Sequence, residues 1–596
     1  MLKTLSTFDA SFFGMLPVEA NTTDPQLRIL LEVAYEAIVD GGFNPRELKG
    51  SNTGVYIGSS YADANIVFCQ GLDAEGGSAL TGLVPALIAN RLSYFFDFKG
   101  PSYTSDAACA TGLLVLEMAF KDVLNGKCDY ALVGAVNITI RPQMTMAFGQ
   151  LQVLSPDGKC KTFDKLADGF GRAEGIVALF ITRESLCRRV YGHLVHSITS
   201  HCGFIEQGIS FPSMEAQTEL FRRVLSETGI SPDEIEYIET HGTGTTTGDP
   251  IEANAVHRVF CQNRTKDNPL LIGSVKTNMG HGECTSGLIG LLKVLMIVNK
   301  GFIPPHVHFH DPEPSIIGLM DGSLKVVTEP TKYLGGPIGV NAFGFGGVNA
   351  TAIVKPYKVK RQDYPCTIPK IIISSGRTKE GVTKNLQYVA ANMTDGAFHF
   401  LANHVADCPV ESMPYRGFKI QMDKSGTEYV EKVKFACNRP VWFIFTGMGS
   451  QWPGMGKDLM AIETFRKSIE KCHNILNVVN PDIQLLDLIM NGTKEQVNET
   501  IAAFVTTTSI QVALVNCLKE LGIHPDGMIG HSMGETACAF ADELMTEEQT
   551  ILAIYWRARC VLNSNPPPGY MASVGMYYLI IERFYEAFRI HGYDFS

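Results

Sequence analysis

Cysteine and histidine residues set against glycine-rich turns are the first chemical feature of this 596-residue chain. In TSDAACATGLLVL (104–116) a single cysteine, Cys109, stands among small residues straight before an apolar helical run. Thr104, Ser105 and Asp106 are residue types that cap helices, which predicts Cys109 at or near the first turn. Unpaired N–H groups and the helix dipole there favour an anion, so the placement suits a thiolate of lowered pKa. Free cysteines also serve as buried packing residues, and this stretch alone leaves both readings open. Two histidines shift the balance. IETHGTGTTTGDPIEA (238–253) runs a strand into a Gly/Thr loop at His241, and GSVKTNMGHGECTSG (273–287) sets His281 between glycines before a helix. Ligands approach open α/β sheets at such strand ends. The set offers one nucleophile and two neutral donors, each on a turn that a substrate can approach closely. A second nucleophile stands in DGMIGHSMGETACAF (526–540), where Ser532 occupies a G-x-S-x-G turn between a strand and a helix. Taken alone, that is the nucleophile elbow of an esterase or lipase.

The elements that must position these residues alternate along 1–355. TTDPQLRILLEVAYEAIVDGG (22–42) has a cap, an early Pro, helical apolar spacing and a Gly–Gly stop. Segments 54–60, 130–137, 176–182, 235–241, 270–276 and 337–344 read as buried strands rich in Val and Ile. Helical runs at 111–125, 215–228 and 285–300 alternate with them, which implies an α/β protein with largely buried sheets and room for two related halves. KPYKVKRQDYP (355–365) reads as a linker, followed by a small α/β segment from Lys370 to about Asn438. A third unit opens at RPVWFIFTGMGSQWPGMG (439–456), a strand running into a Gly-rich turn.

Composition narrows the classes further. With 45% hydrophobic and 19% charged residues the chain is globular, and a net charge of −11 argues against nucleic acid as a partner. Fifteen scattered cysteines read as reduced thiols of a reducing compartment. The N-terminus lacks a signal-peptide core. The longest apolar helical run, 287–298, is short and holds Lys293, so it predicts a buried helix and not a membrane span. A soluble, cytoplasmic protein is expected.

DAACATG, THGTGTTTGDPIEA, VKTNMGHGECTSG and NAFGFGGVNATAIVK occur in the order and approximate spacing of a β-ketoacyl synthase. The chain resembles the condensing domain of animal-type fatty acid synthases and of type I polyketide synthases. SPDGKCKTFDKLADGFGRAEG (155–175) and the segment 7–42 are similar to that family too. The resemblance implies a thiolase-like fold of two related α/β halves over 1–355. It implies that Cys109 takes an acyl group from a thioester, and that His241 and His281 hold the carbonyl of a malonyl thioester during loss of CO2. It assigns an oxyanion hole to the backbone N–H groups of Cys109 and Phe345, with Phe345 as the gate of the acyl pocket. Lys276 becomes a supporting residue that tunes His281. No metal or cofactor is implied to bind directly; substrates would ride on the phosphopantetheine of an acyl carrier domain or on CoA. A homodimer is expected. Gly282, Cys284, Thr285 and Val348 depart from the commoner residues of the family.

His531 beside Ser532 and the upstream FTGMGSQWPGMG resemble the acyltransferase that follows the condensing domain. By that resemblance Ser532 is acylated with malonyl or acetyl groups, Gln451 and Met533 supply oxyanion donors, and Arg557 pairs with the malonyl carboxylate. The segment 356–438 resembles the family's linker domain, and 439–596 the front part of the acyltransferase. The family's general-base histidine lies well beyond the serine, while the chain closes at Ser596, and no motif surrounds His591. The family's opening strand, of the V-x-I-x-G-M type, would precede Met1. This half of the acyltransferase is therefore expected to be incomplete, and a sheet edge of the condensing domain to be exposed. The leading expectation is a fatty acid synthase of animal type. A reducing polyketide synthase shares its chemistry, and a truncated, inactive paralogue that binds acyl groups or a partner chain is a third reading. A simple hydrolase explains only the last third.

Overall fold

Local chemistry sets the elements of the fold. Helix Pro25–Asp40 starts where the Asp24 carboxylate accepts the Gln26 N–H at 2.8 Å and Pro25 fills the first position. Thr53–Ser59 and Tyr130–Asn137 are continuous apolar runs, buried on both faces, as central strands between helical layers must be. The computed structural model describes residues 5–61, 63–70, 78–357, 370–392, 396–408, 412–421, 427–433 and 440–564. They divide into two units, Met1–Asp363 with Ile371–Phe435, and Tyr364–Lys370 with Ala436–Ser596.

The first unit is built on two sheets. One has the order Ser102–Ser105, Thr53–Ser59, Tyr130–Asn137, Gly175–Thr182, the last strand antiparallel to its neighbour. The other runs Gly192–His201, Val348–Pro356, Ile338–Phe343, Tyr237–Glu239, Leu270–Gly273, Leu324–Val326. Helices Thr111–Leu124 and Ser286–Lys300 lie between them. Leu113, Leu116, Leu288 and Val294 share one core with Val133 and Ala135 of the first sheet and Val340 and Ala352 of the second. Helix Pro25–Asp40 packs outside the first sheet, and Met214–Thr228 and Gly248–Phe260 outside the second. Two related α/β halves thus face each other through their central helices.

The halves differ at one edge. In the second, Gly192–His201 covers Val348–Pro356; in the first, Gly175–Thr182 pairs only with Tyr130–Asn137 among the described residues. An apolar groove of ≈ 490 Å³ runs along that edge, lined by Ile181, Leu116, Phe120, Leu291 and Leu295. The small segment after residue 370 carries strands Tyr415–Gln421 and Glu428–Lys432. It packs on the first unit through Asn44, whose amide donates to the His404 and Asp407 carbonyls, both at 3.0 Å.

The second unit pairs Trp442–Phe445 in parallel with Gly527–Gly530 and surrounds helix Thr500–Glu520 with helices Glu463–Val479 and Glu547–Asn563. Thr500–Glu520, and not 287–298, is the longest apolar helix. It is long and apolar enough to cross a bilayer, yet Val505, Ile510 and Val512 are in the core of this unit. Four consecutive hydroxyl residues, Thr506 to Ser509, hid it from an apolar scan.

The central helices approach too closely for side chains at their first turns. A Cβ on Gly112 would stand 3.0 Å from the Leu288 nitrogen, and one on Gly287 would stand 2.9 Å from the Leu113 side chain. Gly287→Val is expected to destabilise the unit by about 1–3 kcal/mol through overpacking. Its urea midpoint should fall with the slope unchanged; a wild-type midpoint would contradict this account of the crossing.

Candidate active site

The close crossing brings the heads of both central helices together. Ahead of Thr111–Leu124 lies a short 3₁₀ turn, Ala108–Ala110, which carries Cys109. Ahead of Ser286–Lys300 lies a second, Glu283–Thr285, just after His281. Ala108 and Glu283 both adopt positive φ, at 50° and 52°, a strained backbone that turns each chain sharply into its helix. Cys109 is therefore on the turn before the helix and not in its first α-helical turn. Thr104 and Ser105 belong to strand Ser102–Ser105, so the cap is made by others. The Asp106 carboxylate accepts the Ala108 N–H at 2.9 Å, and the Thr111 hydroxyl accepts the Ala107 N–H at 2.7 Å.

His281 Nε2 stands 3.2 Å from Cys109 Sγ. Its Nδ1 accepts the Glu283 N–H at 3.2 Å, which leaves the ring proton of the neutral form on Nε2, facing the sulfur. The backbone of His281 is pinned by GFGRAEG: its N–H donates to the Gly171 carbonyl at 2.7 Å and its carbonyl accepts the Ala173 N–H at 2.9 Å. The His241 ring stands nearly perpendicular to His281, centroids 5.5 Å apart. Its buried Nδ1 has no hydrogen-bond partner among the described residues, the condition of a site that pairs with a ligand.

The loop carrying His241 is held by two carboxylates on helix Gly248–Phe260. Glu252 accepts the N–H groups of His241 and Gly242, both at 2.8 Å, and Asp249 accepts those of Thr243 at 3.0 Å and Phe163 at 3.0 Å. Neither was singled out from the sequence, although an acid in the first helical turn, Asp249, with a second three residues on is a readable signal of such a staple. Lys276 is buried and donates to the His241 carbonyl at 2.5 Å. It thus supports His241 directly, where the sequence pointed to His281 alone.

Phe345 completes the group. A Cβ on Gly344 would fall 2.4 Å from the Ala107 carbonyl, and this close approach brings the Phe345 backbone towards Cys109, where its N–H and that of Cys109 favour the thiolate form. The Phe345 ring is exposed. Electrostatics correct one expectation. Burial, followed by the Glu283 carboxylate, pushes the Cys109 thiol up to about 11, outweighing the two N–H groups and Lys276 that favour thiolate. Burial, followed by Lys276, drives both His241 and His281 well below the usual histidine range. At neutral pH the site holds a protonated thiol and two uncharged imidazoles. Such a set can pass an acyl group to sulfur and can donate to an oxygen on which negative charge develops.

In the second unit Ser532 sits at φ 54° between Gly527–Gly530 and helix Gly534–Ala541. A Cβ on Gly534 would fall 2.3 Å from the Phe445 carbonyl, so the tight elbow requires glycine. Arg557 Nη1 donates to the Ser532 carbonyl at 3.4 Å, which brings the two residues together. Gln451 engages Asn498 and the Gly449 N–H through its side chain, and Met533 is buried. His591 lies outside the described residues.

Comparison with known proteins agrees with this division. The family described as Beta-ketoacyl synthase, N-terminal domain matches residues 1–186, and Beta-ketoacyl synthase, C-terminal domain matches 191–310. Ketoacyl-synthetase C-terminal extension matches 312–420, and Acyl transferase domain matches 442–585. The chain is 33% identical to the highly reducing polyketide synthase sdnO of Sordaria araneosa over 92% of its own length and 19% of the relative's. For srdA of Neurospora crassa the identity is 33%, over 95% of this chain and 25% of the relative. The chain therefore spans a quarter or less of these relatives. It is 48% identical to a fatty acid synthase of Anser anser anser, over 50% of this chain and 85% of that one. A ketosynthase from module 6 of the bacillaene synthase of Bacillus subtilis matches with a TM-score of 0.64 and 26% identity, covering 83% of this chain and 84% of that one.

A thiol near 11 titrates without a plateau around neutrality. Alkylation of Cys109 by iodoacetamide, followed by peptide mass spectrometry, is expected to accelerate steadily from about pH 7 to about pH 10. A rate that levels off below about pH 8 would mean a thiolate site after all.

Proposed function

Because the chain belongs to the β-ketoacyl synthase family of type I fatty acid and polyketide synthases, a transferase with ketosynthase and acyltransferase domains, we propose that its first unit performs decarboxylative condensation. The observation that carries this reading is the neutral His281 Nε2–H placed 3.2 Å from Cys109 Sγ.

The chemistry follows from the protonation states. Cys109 sulfur attacks an acyl thioester; its proton passes to the departing thiol, so no thiolate has to persist in the buried site. The carbonyl oxygen carries the charge of the tetrahedral intermediate between the N–H groups of Cys109 and Phe345. A malonyl thioester then enters with its carbonyl oxygen on His241 and His281. Its carboxylate leaves as CO2, and the electron pair released forms an enolate whose oxygen the two imidazoles hold. Uncharged donors suit this step, since they stabilise the enolate without protonating it. The enolate carbon attacks the acyl carbonyl on Cys109, and the sulfur leaves and regains a proton. Lys276 keeps the His241 loop in place and never meets substrate.

The malonyl and acyl groups arrive on the phosphopantetheine of a carrier domain or on CoA, and in the second unit Ser532 accepts them with Arg557 against the malonyl carboxylate. A homodimer fits this reading; the free edge strand Ser102–Ser105, with Tyr103 exposed, supports it. Twelve described cysteines are unpaired, which supports a reducing, cytoplasmic setting. For the product, the reducing polyketide reading is supported by relatives so named that align with more than nine-tenths of the chain. The fatty acid reading retains the higher identity of 48% over half the chain. The extent of β-reduction in the released products separates them.

With an acyl-N-acetylcysteamine thioester, intact mass is expected to show one adduct on Cys109, absent in Cys109→Ala. His281→Ala should slow CO2 release from a malonyl thioester by about 100-fold or more, the usual worth of an oxyanion donor. A folded protein that shows neither adduct nor CO2 would overturn the condensing reading.

A further inference from the structure

Beneath the site lies a buried polar group that the mechanism has not used. Tyr237 and Glu239 stand on strand Tyr237–Glu239, two residues before His241, and Lys293 projects from the middle of helix Ser286–Lys300. Tyr237 and Glu239 are almost fully buried and Lys293 nearly so, at 0%, 1% and 7% exposure. Lys293 Nζ lies 2.7 Å from Glu239 Oε2 and donates to the Tyr237 hydroxyl at 2.9 Å; that hydroxyl donates to Glu239 Oε2 at 2.8 Å. The other oxygen, Oε1, accepts the Val275 N–H at 2.5 Å, in the turn that leads into Lys276. The space is built for the group, since a Cβ on Gly273 would fall 2.6 Å from the Tyr237 hydroxyl. On the far side of the turn His306 Nδ1 accepts the Ser274 N–H at 3.2 Å.

A buried ion pair adds little net stability, because desolvating two charges costs about as much as their attraction returns. Its place here makes a different role natural. We propose that Tyr237, Glu239 and Lys293 are positioning residues, whose carboxylate fixes the Val275–Lys276 turn and so keeps Lys276 on the His241 carbonyl, beside both imidazoles. This deepens the condensing reading and rests on it. The charges around the turn are few and can be followed. Lys276 faces Glu239, Glu252, Cys160 and Cys109; the histidines face Lys276, and His281 also faces Arg172; Lys293 faces His306. Glu239 leads the charged groups that favour the Lys276 ammonium, and Lys276 leads those that keep both imidazoles neutral. Loss of the Glu239 carboxylate leaves the Lys276 and Lys293 charges less compensated. The imidazoles, held well below the usual histidine range, then take up protons only at still lower pH.

The test is the isosteric Glu239→Gln in the full chain, with the histidines labelled at ¹³Cε1 and their signals assigned through His241→Gln and His281→Gln. The NMR titration midpoints of the two rings are expected to fall by about half a pH unit or more. The acid limb of malonyl-thioester decarboxylation should move to lower pH with them while KM stays nearly constant. Tyr237→Phe, which removes one hydrogen bond to the same carboxylate, should move the midpoints less in the same direction. Lys293→Arg should keep most of the wild-type profile. Unmoved midpoints in folded Glu239→Gln overturn the proposal, and if that variant does not fold, unmoved midpoints in Tyr237→Phe do so. Wild-type protein that releases no CO2 would overturn the condensing reading, while the NMR titration still decides the role of Glu239.

Discussion

The molecule depends on one steric constraint: two helices from two α/β halves cross head to head with no room for a side chain at Gly112 or Gly287. The Cys109–His281 pair is placed by that crossing. The turn before one helix carries Cys109, the turn before the other follows His281, and the 3.2 Å contact between them joins residues far apart in the chain. The surrounding sheets are packed on both faces, so neither helix can shift without disturbing a core that draws on both halves. The same economy of space recurs at Gly344, whose closeness to Ala107 brings the Phe345 backbone towards Cys109.

Burial then decides protonation. An isolated thiol at a helix head is expected to ionise, and here it does not, because the low-polarity surroundings and Glu283 outweigh the N–H groups. The same surroundings, with Lys276, keep two imidazoles neutral that would otherwise titrate near neutrality. A protonated thiol and neutral histidines suit a reaction that begins with a neutral thioester and develops its charge on oxygen. Charge in the site is confined to the supporting layer. Lys276, Glu239 and Lys293 hold backbone or one another, and Asp249 and Glu252 accept backbone N–H groups from the His241 loop.

Much of this was legible in the sequence. Val- and Ile-rich runs placed Thr53–Ser59, Tyr130–Asn137 and Ile338–Phe343 nearly to the residue, since buried strands need no alternation to be seen. The strands at 235–241 and 270–276 were drawn too long. Their ends are glycine-, threonine- and serine-containing turns fixed by side chains from elsewhere, such as Glu252 and Glu239. Cys109, His241, His281 and Lys276 were found because motif spacing survives in the chain, whereas their partners were not. Glu239 and Lys293 are lone charges within apolar segments, and only the packed structure shows that they meet. The helix-dipole argument for Cys109 failed for a related reason: it weighs local backbone, while burial comes from the whole fold.

The central claim is that loss of CO2 and carbon–carbon bond formation are coupled steps of one turnover at Cys109, His241 and His281. The most direct measurement primes Cys109 with an acyl group, adds a malonyl thioester labelled with ¹³C in its free carboxyl, and quantifies labelled CO2 and β-ketoacyl thioester together. Equal amounts of the two, with both lost in Cys109→Ala-type acyl-free protein except for slow uncoupled decarboxylation, are the predicted result. Labelled CO2 without β-ketoacyl product from fully acylated protein would contradict the account.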